Sequence, residues 1–299
     1  MKKVICIGHA VIDHIFKVSK ISKKPIKSFA RDYILSGGGN ASTAAVALSR
    51  AGGEAFFWGR IGDDYNGELI LKELHEFEVD TQDVLKINGV KSSVSSVLVD
   101  DNGERFIANY NDPKLFSYQG KLPIEKISDV NAVLADSHWH EGVIKVSTRA
   151  REIGIPVILD ADLTAEGINE EVIKLATHVL FSKPALDEFS GKKSPEAALN
   201  YVRGINNGWA GFTDGSNGTF WIEDNKLKNL RAFKVNTIDT LGAGDVFHGI
   251  FALLLAEGKS EEQSLFSASA AAAIYCSRTN GRKSIPYRKE INNFIKNYK

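Results

Sequence analysis

Apolar residues follow two rhythms along this chain, short unbroken runs and runs spaced every three or four residues, and the two alternate. Val4–Ile7 is an unbroken run closed by Gly8, which predicts a buried strand. Around Val11–Val18 the pattern changes to alternation, as in a sheet with one open face. From Asn40 the positions Ala41, Ala44, Ala45 and Leu48 recur at helical spacing until Gly52-Gly53 stops them, and Ala55–Trp58 resumes a strand. Ser93–Val99 and Arg105–Tyr110 flank the turn-forming Asp101-Asn102-Gly103, which predicts a β-hairpin that interrupts the strand–helix rhythm. Strands at Ala132–Ala135, Val157–Leu159 and Val179–Phe181 then alternate with helices expected from Glu141 and Asn169, the pattern of a parallel sheet between helical layers. Asp245–Glu257 puts Phe247, Ile250, Phe251 and Leu254 on one face, and the alanine-rich Glu261–Cys276 suits a helix packed closely beside it.

At 299 residues the chain is long enough for one large core. No repeat and no Gly/Pro/Ser linker divides it, so a single domain over 1–299 is expected, with a small β lid from approximately 14–35 and 90–112. Thirty-seven Lys and Arg balance thirty-seven Asp and Glu, which leaves no net field to draw the molecule to nucleic acid or to an anionic membrane. An anion has to be bound locally. Cys6 and Cys276 are too few for a disulfide framework and read as reduced core residues. The opening apolar run is too short for a signal-peptide core and no later run reaches membrane-spanning length, so a cytoplasmic location is expected.

Four segments carry candidate chemistry. In Asp239-Thr240-Leu241-Gly242-Ala243-Gly244-Asp245, three small residues precede an acid at a helix start. Backbone N–H groups at Gly242, Ala243 and Gly244 are free of bulky side chains and could approach a phosphate, aided by the helix dipole. A carboxylate at Asp245 could take the proton of an attacking hydroxyl, although a helix cap accounts for the same residues. Ser36-Gly37-Gly38-Gly39-Asn40 combines bare backbone with a helix amino terminus; Asn40 offers a donor and an acceptor to a polyol, or simply caps the helix. Asp13 lies just past a buried strand, where it could accept from two sugar hydroxyls or sit in solvent. Thr213-Asp214-Gly215-Ser216-Asn217-Gly218-Thr219 could border a nucleotide or form a hairpin turn. Neither Gly-x-Gly-x-x-Gly nor a Walker sequence is present, and His138-Trp139-His140 lacks a third metal ligand.

Taken in order, Asp13, the Gly37–Asn40 turn, Gly59-Arg60-Ile61-Gly62-Asp63-Asp64, the Thr213–Gly218 loop and Asp239–Asp245 resemble the PfkB carbohydrate kinases over nearly the whole chain. The resemblance implies a ribokinase-like α/β fold: a Rossmann-like three-layer core with a mainly parallel sheet, plus the β lid. It implies ATP and Mg²⁺ as cosubstrates, with a monovalent cation as a candidate activator. Asp245 would be the base, Gly242, Ala243 and Gly244 the anion hole, and Asp13, Gly38, Gly39 and Asn40 the sugar's holders. Ser182, Lys183, Thr213, Asp214, Gly215 and Gly218 would border the nucleotide.

Within that family Gly103-Glu104-Arg105, Asn109-Tyr110, Leu134-Ala135-Asp136 with Trp139-His140, and Gly244–Gly249 look most like 6-deoxy-6-sulfofructose kinases. That likeness implies phosphorylation of the C1 hydroxyl of a ketohexose, with Lys27, Asn109 and His138 facing a sulfonate at its far end. His138 stands where those kinases carry Arg. The family's Asn-x-x-Glu appears here as Ser182-Lys183-Pro184-Ala185, which leaves Mg²⁺ to ATP phosphates and water and frees Lys183 to meet a phosphate. No metal ligand is assigned. The alternatives are fructose, fructose 1-phosphate, ribose or a nucleoside on the same machinery, or a sugar-binding regulator without turnover. Exposed lid strands predict a homodimer formed through the lid.

Overall fold

The computed structural model describes residues 1–117, 120–165 and 167–298. Its strands are β1 Lys3–Gly8, β2 Val11–Lys17, β3 Asp32–Gly38, β4 Glu54–Gly62, β5 Leu85–Ile87, β6 Val94–Val99, β7 Arg105–Tyr110, β8 Ala132–Asp136, β9 Val157–Ala161, β10 His178–Ser182, β11 Trp209–Thr213, β12 Thr219–Glu223 and β13 Lys226–Leu230. Its helices are α1 Asn40–Arg50, α2 Tyr65–Glu76, α3 Pro113–Phe116, α4 His140–Glu152, α5 Glu170–Leu175, α6 Lys183–Ser190, α7 Pro195–Asn206, α8 Ala243–Ala256, α9 Glu261–Cys276 and α10 Arg288–Asn297.

The large sheet runs β13-β12-β11-β10-β9-β8-β1-β4-β5. From β11 to β5 every pairing is parallel; β12 and β13 close one edge antiparallel. Parallel strands covered by helices on both faces must be apolar on both, and the strands show it. Val4 and Cys6 of β1 join the core under α1, α8 and α9, while Ile5 and Ile7 join the opposite core with Val143 and Val146 of α4 and Leu199 of α7. The continuous run at Val4–Ile7 is therefore two interleaved faces.

Helix α8 is apolar all round because it is enclosed by α1, α9 and the sheet. A Cβ on Gly249 would collide with the Ala44 carbonyl, so α1 and α8 touch through glycine and alanine. The four remaining strands form a separate small sheet, β3-β2-β6-β7. It is mixed: β2 pairs parallel with β6, and β3 and β7 are antiparallel edges. The β6–β7 hairpin expected around Asp101-Asn102-Gly103 lies here, closed by Gly103 N–H donating to Asp100 O.

Two expectations are refined. The helix that carries Asp245 begins at Ala243, so the acid sits in its first turn rather than at its start. Asn40 is the first residue of α1, with Gly39 in the cap position, so Asn40 does not act as the cap.

Candidate active site

A cavity of about 410 Å³ lies between the small sheet and the carboxyl edge of the large one, the edge where open α/β sheets bind ligands. Asp13, Ser95 and Asn109 come to it from the small sheet, and Gly38, Gly39, Asn40, Asp162, Gly242 and Asp245 from the core. Asp13 is level with Ser36 and Ser95 in the register of β2, β3 and β6, and Ser95 hydrogen-bonds its carboxyl. Burial still holds that carboxyl above its ordinary range.

Gly39 has φ 95°, in the left-handed region, and a Cβ there would press on the His9 carbonyl. Only glycine lets α1 begin this close to the β1–β2 junction. The same junction is held by Asp136 at the end of β8, a buried carboxylate that accepts from the backbone N–H groups of His9 at 2.7 Å, Ala41 at 3.1 Å and His138 at 2.9 Å. One side chain thus fixes three segments of the cavity wall.

Gly242, φ 79°, turns the chain into α8. Val246 N–H is bonded within the helix to Gly242 O, while Ala243 N–H turns back to Thr240 O at 3.2 Å. Of the three residues expected to form an anion hole, Ala243 thus has its N–H committed locally, and Gly242 and Gly244 stand at the helix's open end. Tyr275 Oη donates to Leu241 O at 2.7 Å and supports the turn from α9.

Asp245 is half-buried in this first turn, and its pKa is pushed well above the usual carboxylate range, first by burial and then by the charge of Asp160; His248 and Arg282 act in the opposite sense. Asp160, at the end of β9, is itself raised by burial and by Asp162. Its Oδ2 accepts from Asn40 Nδ2 at 3.4 Å and lies 3.3 Å from His248 Nδ1. His248 Nδ1 also meets Gly244 O at 2.7 Å, and Nε2 faces Leu180 O at 3.3 Å.

Arg282 gave no signal in the sequence: it is one arginine in a turn after α9. In the fold it is 2% exposed. Its guanidinium donates to Gly38 O at 2.8 Å, Ser42 Oγ at 2.6 Å and Thr43 Oγ1 at 3.0 Å, and pairs with Glu73 at 3.3 Å. It props the glycine turn from beneath and places a positive charge near Asp13 and Asp245. His9, Asn111 and Asp162 also line the cavity without having been singled out. Asp160 and Asp162 could have been found by asking which acids follow an apolar strand run.

Not every expected residue is brought together. Asn109 and His138 line the cavity, but Lys27 does not; its Nζ stands 5.9 Å from the Phe29 ring in an exposed segment. Ser182, Lys183, Thr213, Asp214, Gly215 and Gly218 lie outside the lining, at the carboxyl ends of β10 and β11 and in the hairpin after β11. Ser182 and Thr213 are register neighbours, and Ser182 Oγ donates to the cavity's Asp162 at 2.7 Å. Lys183 pairs with Asp187 on its own helix. Among the described residues no group of three or more His, Cys, Asp and Glu could hold a metal ion.

The doubly covered parallel sheet, the small sheet beside it and the cavity between them define the ribokinase-like class of α/β proteins. The chain belongs to the pfkB family of carbohydrate kinases, whose family model matches residues 1–288. Ribokinase from Bacillus subtilis is 26% identical over 298 residues, covering 99% of this chain and 100% of its own. The crystal structure of an Agrobacterium tumefaciens protein provisionally named a ribokinase superposes with TM-score 0.94 at 34% identity, covering 99% of this chain and 97% of that one. Arabidopsis thaliana ribokinase complexed with ribose and ATP shares the fold, with TM-score 0.86 at 23% identity over 99% of this chain and 98% of that one. The protein is an ATP-dependent carbohydrate kinase.

Proposed function

We propose that this kinase phosphorylates a ketohexose-type sugar held in the 410 Å³ cavity, with Asp245 as general base. The observation that carries this reading is the placement of Asp245, in the first turn of α8, in the same cavity as Asp13 and Asn40. Asp245 takes the proton of a sugar hydroxyl as its oxygen bonds to the γ-phosphorus of ATP, the bond from phosphorus to the β,γ-bridging oxygen breaks, and ADP leaves with that electron pair. The amides of Gly242 and Gly244 and the α8 dipole favour the negative charge on the transferred group. Asp13, Gly38, Gly39 and Asn40 orient the sugar, and ATP lies along the ends of β10 and β11, by Ser182, Lys183, Thr213, Asp214, Gly215 and Gly218. Mg²⁺ carried with ATP would neutralise phosphate charge, held mainly by phosphate and water, and Asp162, a lining acid bonded to Ser182, would be placed to meet its water shell. A monovalent cation remains a candidate activator, tested by running the assay in potassium against tetramethylammonium.

The likeness to sulfofructose kinases points to 6-deoxy-6-sulfofructose, phosphorylated at C1. The positions of Asn109 and His138 in the lining support it and the position of Lys27 does not. The neutral alternatives are fructose and ribose, and the B. subtilis relative's name supports the latter. ADP release with ATP and Mg²⁺ is measured against 6-deoxy-6-sulfofructose, fructose 6-phosphate, fructose, ribose and a nucleoside. Turnover of a ketohexose that is lost in Asp245→Asn supports the reading; silence on every sugar overturns it.

One kinase domain over 1–299, with the lid from approximately 14–35 and 90–112, forms a homodimer through the lid in this reading. Exposed Tyr33, Leu35, Phe106 and Tyr110 on β3 and β7 support it, and a monomeric mass in sedimentation at micromolar concentration refutes it. An ATP-consuming sugar kinase fits the cytoplasm, and among the described residues no helix is long and apolar enough to cross a membrane.

A further inference from the structure

His9 carries a buried nitrogen that the fold leaves without a partner. The residue is 9% exposed, lines the cavity, and its Nε2 has no hydrogen-bond partner among the described residues. Leaving such an atom unserved forfeits the hydrogen bond it makes in water, and native structures seldom do so away from a ligand or water.

The ring cannot turn away easily. Its own backbone N–H is held by Asp136, Asn111 hydrogen-bonds the imidazole, and the ring packs between His138, with centroids 4.9 Å apart, and Phe116 at 5.8 Å. Burial, reinforced by His138 and the Arg60 guanidinium, pushes its pKa down to about 3. At any pH at which the enzyme works, His9 is therefore a neutral imidazole, with one N–H and one lone pair.

That state selects among ligands. A sulfonate or a phosphate has only lone pairs to offer, so it is served by one tautomer alone and gains no positive charge from a neutral ring. A hydroxyl both donates and accepts, so it satisfies Nε2 in either tautomer. We propose that His9 is a specificity-determining residue whose Nε2 hydrogen-bonds a sugar hydroxyl other than the one phosphorylated, so that this part of the cavity takes a hydroxylated rather than an anionic group. The proposal rests on the sugar-kinase reading above and bears on its choice of sugar: the wall formed by His9 and Asn111 suits a neutral polyol.

The test compares the sugar that the wild-type enzyme phosphorylates fastest with its monodeoxy analogues, in wild type and in His9→Phe, which keeps an aromatic ring and removes both nitrogens. One analogue is expected to be about tenfold or more poorer in kcat/KM with the wild type. In His9→Phe the parent sugar should fall to the level of that analogue, the two becoming equal within about twofold, because a site with no polar atom there has nothing to lose. If His9→Phe keeps the wild-type ratio for every analogue, solvent serves Nε2 and the proposal is wrong. Should His9→Phe fail to fold, ¹⁵N-histidine NMR of the wild-type protein decides: adding the sugar must shift the His9 Nε2 resonance, and an unmoved resonance refutes the contact. A wild-type enzyme that phosphorylates no sugar removes the functional reading instead, whereas the NMR experiment still reports on His9.

Discussion

His248 Nδ1 lies 3.3 Å from Asp160 Oδ2, so the candidate base Asp245, in the first turn of α8, has a second acid and an imidazole as neighbours. Asp160 is the second-largest cause, after burial, of the raised pKa at Asp245. A base acts only when ionised, so the acidic limb of kcat/KM against pH should lie above the ordinary aspartate range. Asp160→Asn keeps the shape and removes a like charge, which moves that limb to lower pH. A limb that stays put or moves upward shows that Asp160 does not tune the base.

Asp245→Asn should reduce kcat by about 10³-fold, within the usual worth of a general base, while sugar binding measured by calorimetry persists. Stability supplies a second signature. The folded pKa is raised, so the stability attached to this group is full below its unfolded pKa and is lost as pH rises through the folded one. The melting-temperature difference, variant minus wild type, should therefore be greater at pH 8 than at pH 4. The opposite order would contradict the burial argument.

Gly38 faces Asp13 so closely that a Cβ would collide with its carboxylate. Gly38→Ala is expected to push that carboxylate aside, raising KM for sugar by about tenfold or more and leaving KM for ATP nearly unchanged. Equal damage to both constants would mean that the turn serves the fold rather than the sugar.

Arg282→Ala removes the prop beneath the glycine turn and strands Glu73, whose side chain is 19% exposed. Breaking a buried ion pair costs about 3 kcal/mol or more, to be read from urea unfolding. Arg282→Lys should recover little of it, because a single ammonium cannot reach Gly38, Ser42, Thr43 and Glu73 together.

Arg105 on β7 of the small sheet donates to Thr240 Oγ1 and lies 3.9 Å from Asp239, joining that sheet to the loop before α8. The pair is partly exposed, so Arg105→Ala should raise the sugar's KM by about two- to fivefold without shifting the melting temperature. An unchanged KM would leave the contact without a role in closure.

Local regularities were legible in the sequence because they depend on neighbours a few residues apart. The parallel-sheet strands, the hairpin at Asp101-Asn102-Gly103 and the buried pair α8 and α9 all follow from periodicity and turn chemistry. The Gly38–Asn40 turn and Asp245 were legible for the same reason: a helix amino terminus with bare backbone is a local object. The edge strands β3 and β13 were not foreseen, because each becomes a strand by pairing along a neighbour's edge, β2 and β12.

The sequence by itself determined an alternating α/β fold with an acid in the first turn of a helix, since hydrophobic period and glycine placement act over one or two turns of chain, and the order of its motifs carried the resemblance to carbohydrate kinases. Tertiary structure alone decided which charges surround that acid. Arg282 reaches Gly38 across 244 positions, and Asp136 binds His9 across 127. It also left Lys27 outside the cavity and turned His9 into it. The physical reason is burial: a side chain's charge, reach and partners at this site depend on what the fold removes from water around it, and no spacing along the chain records that.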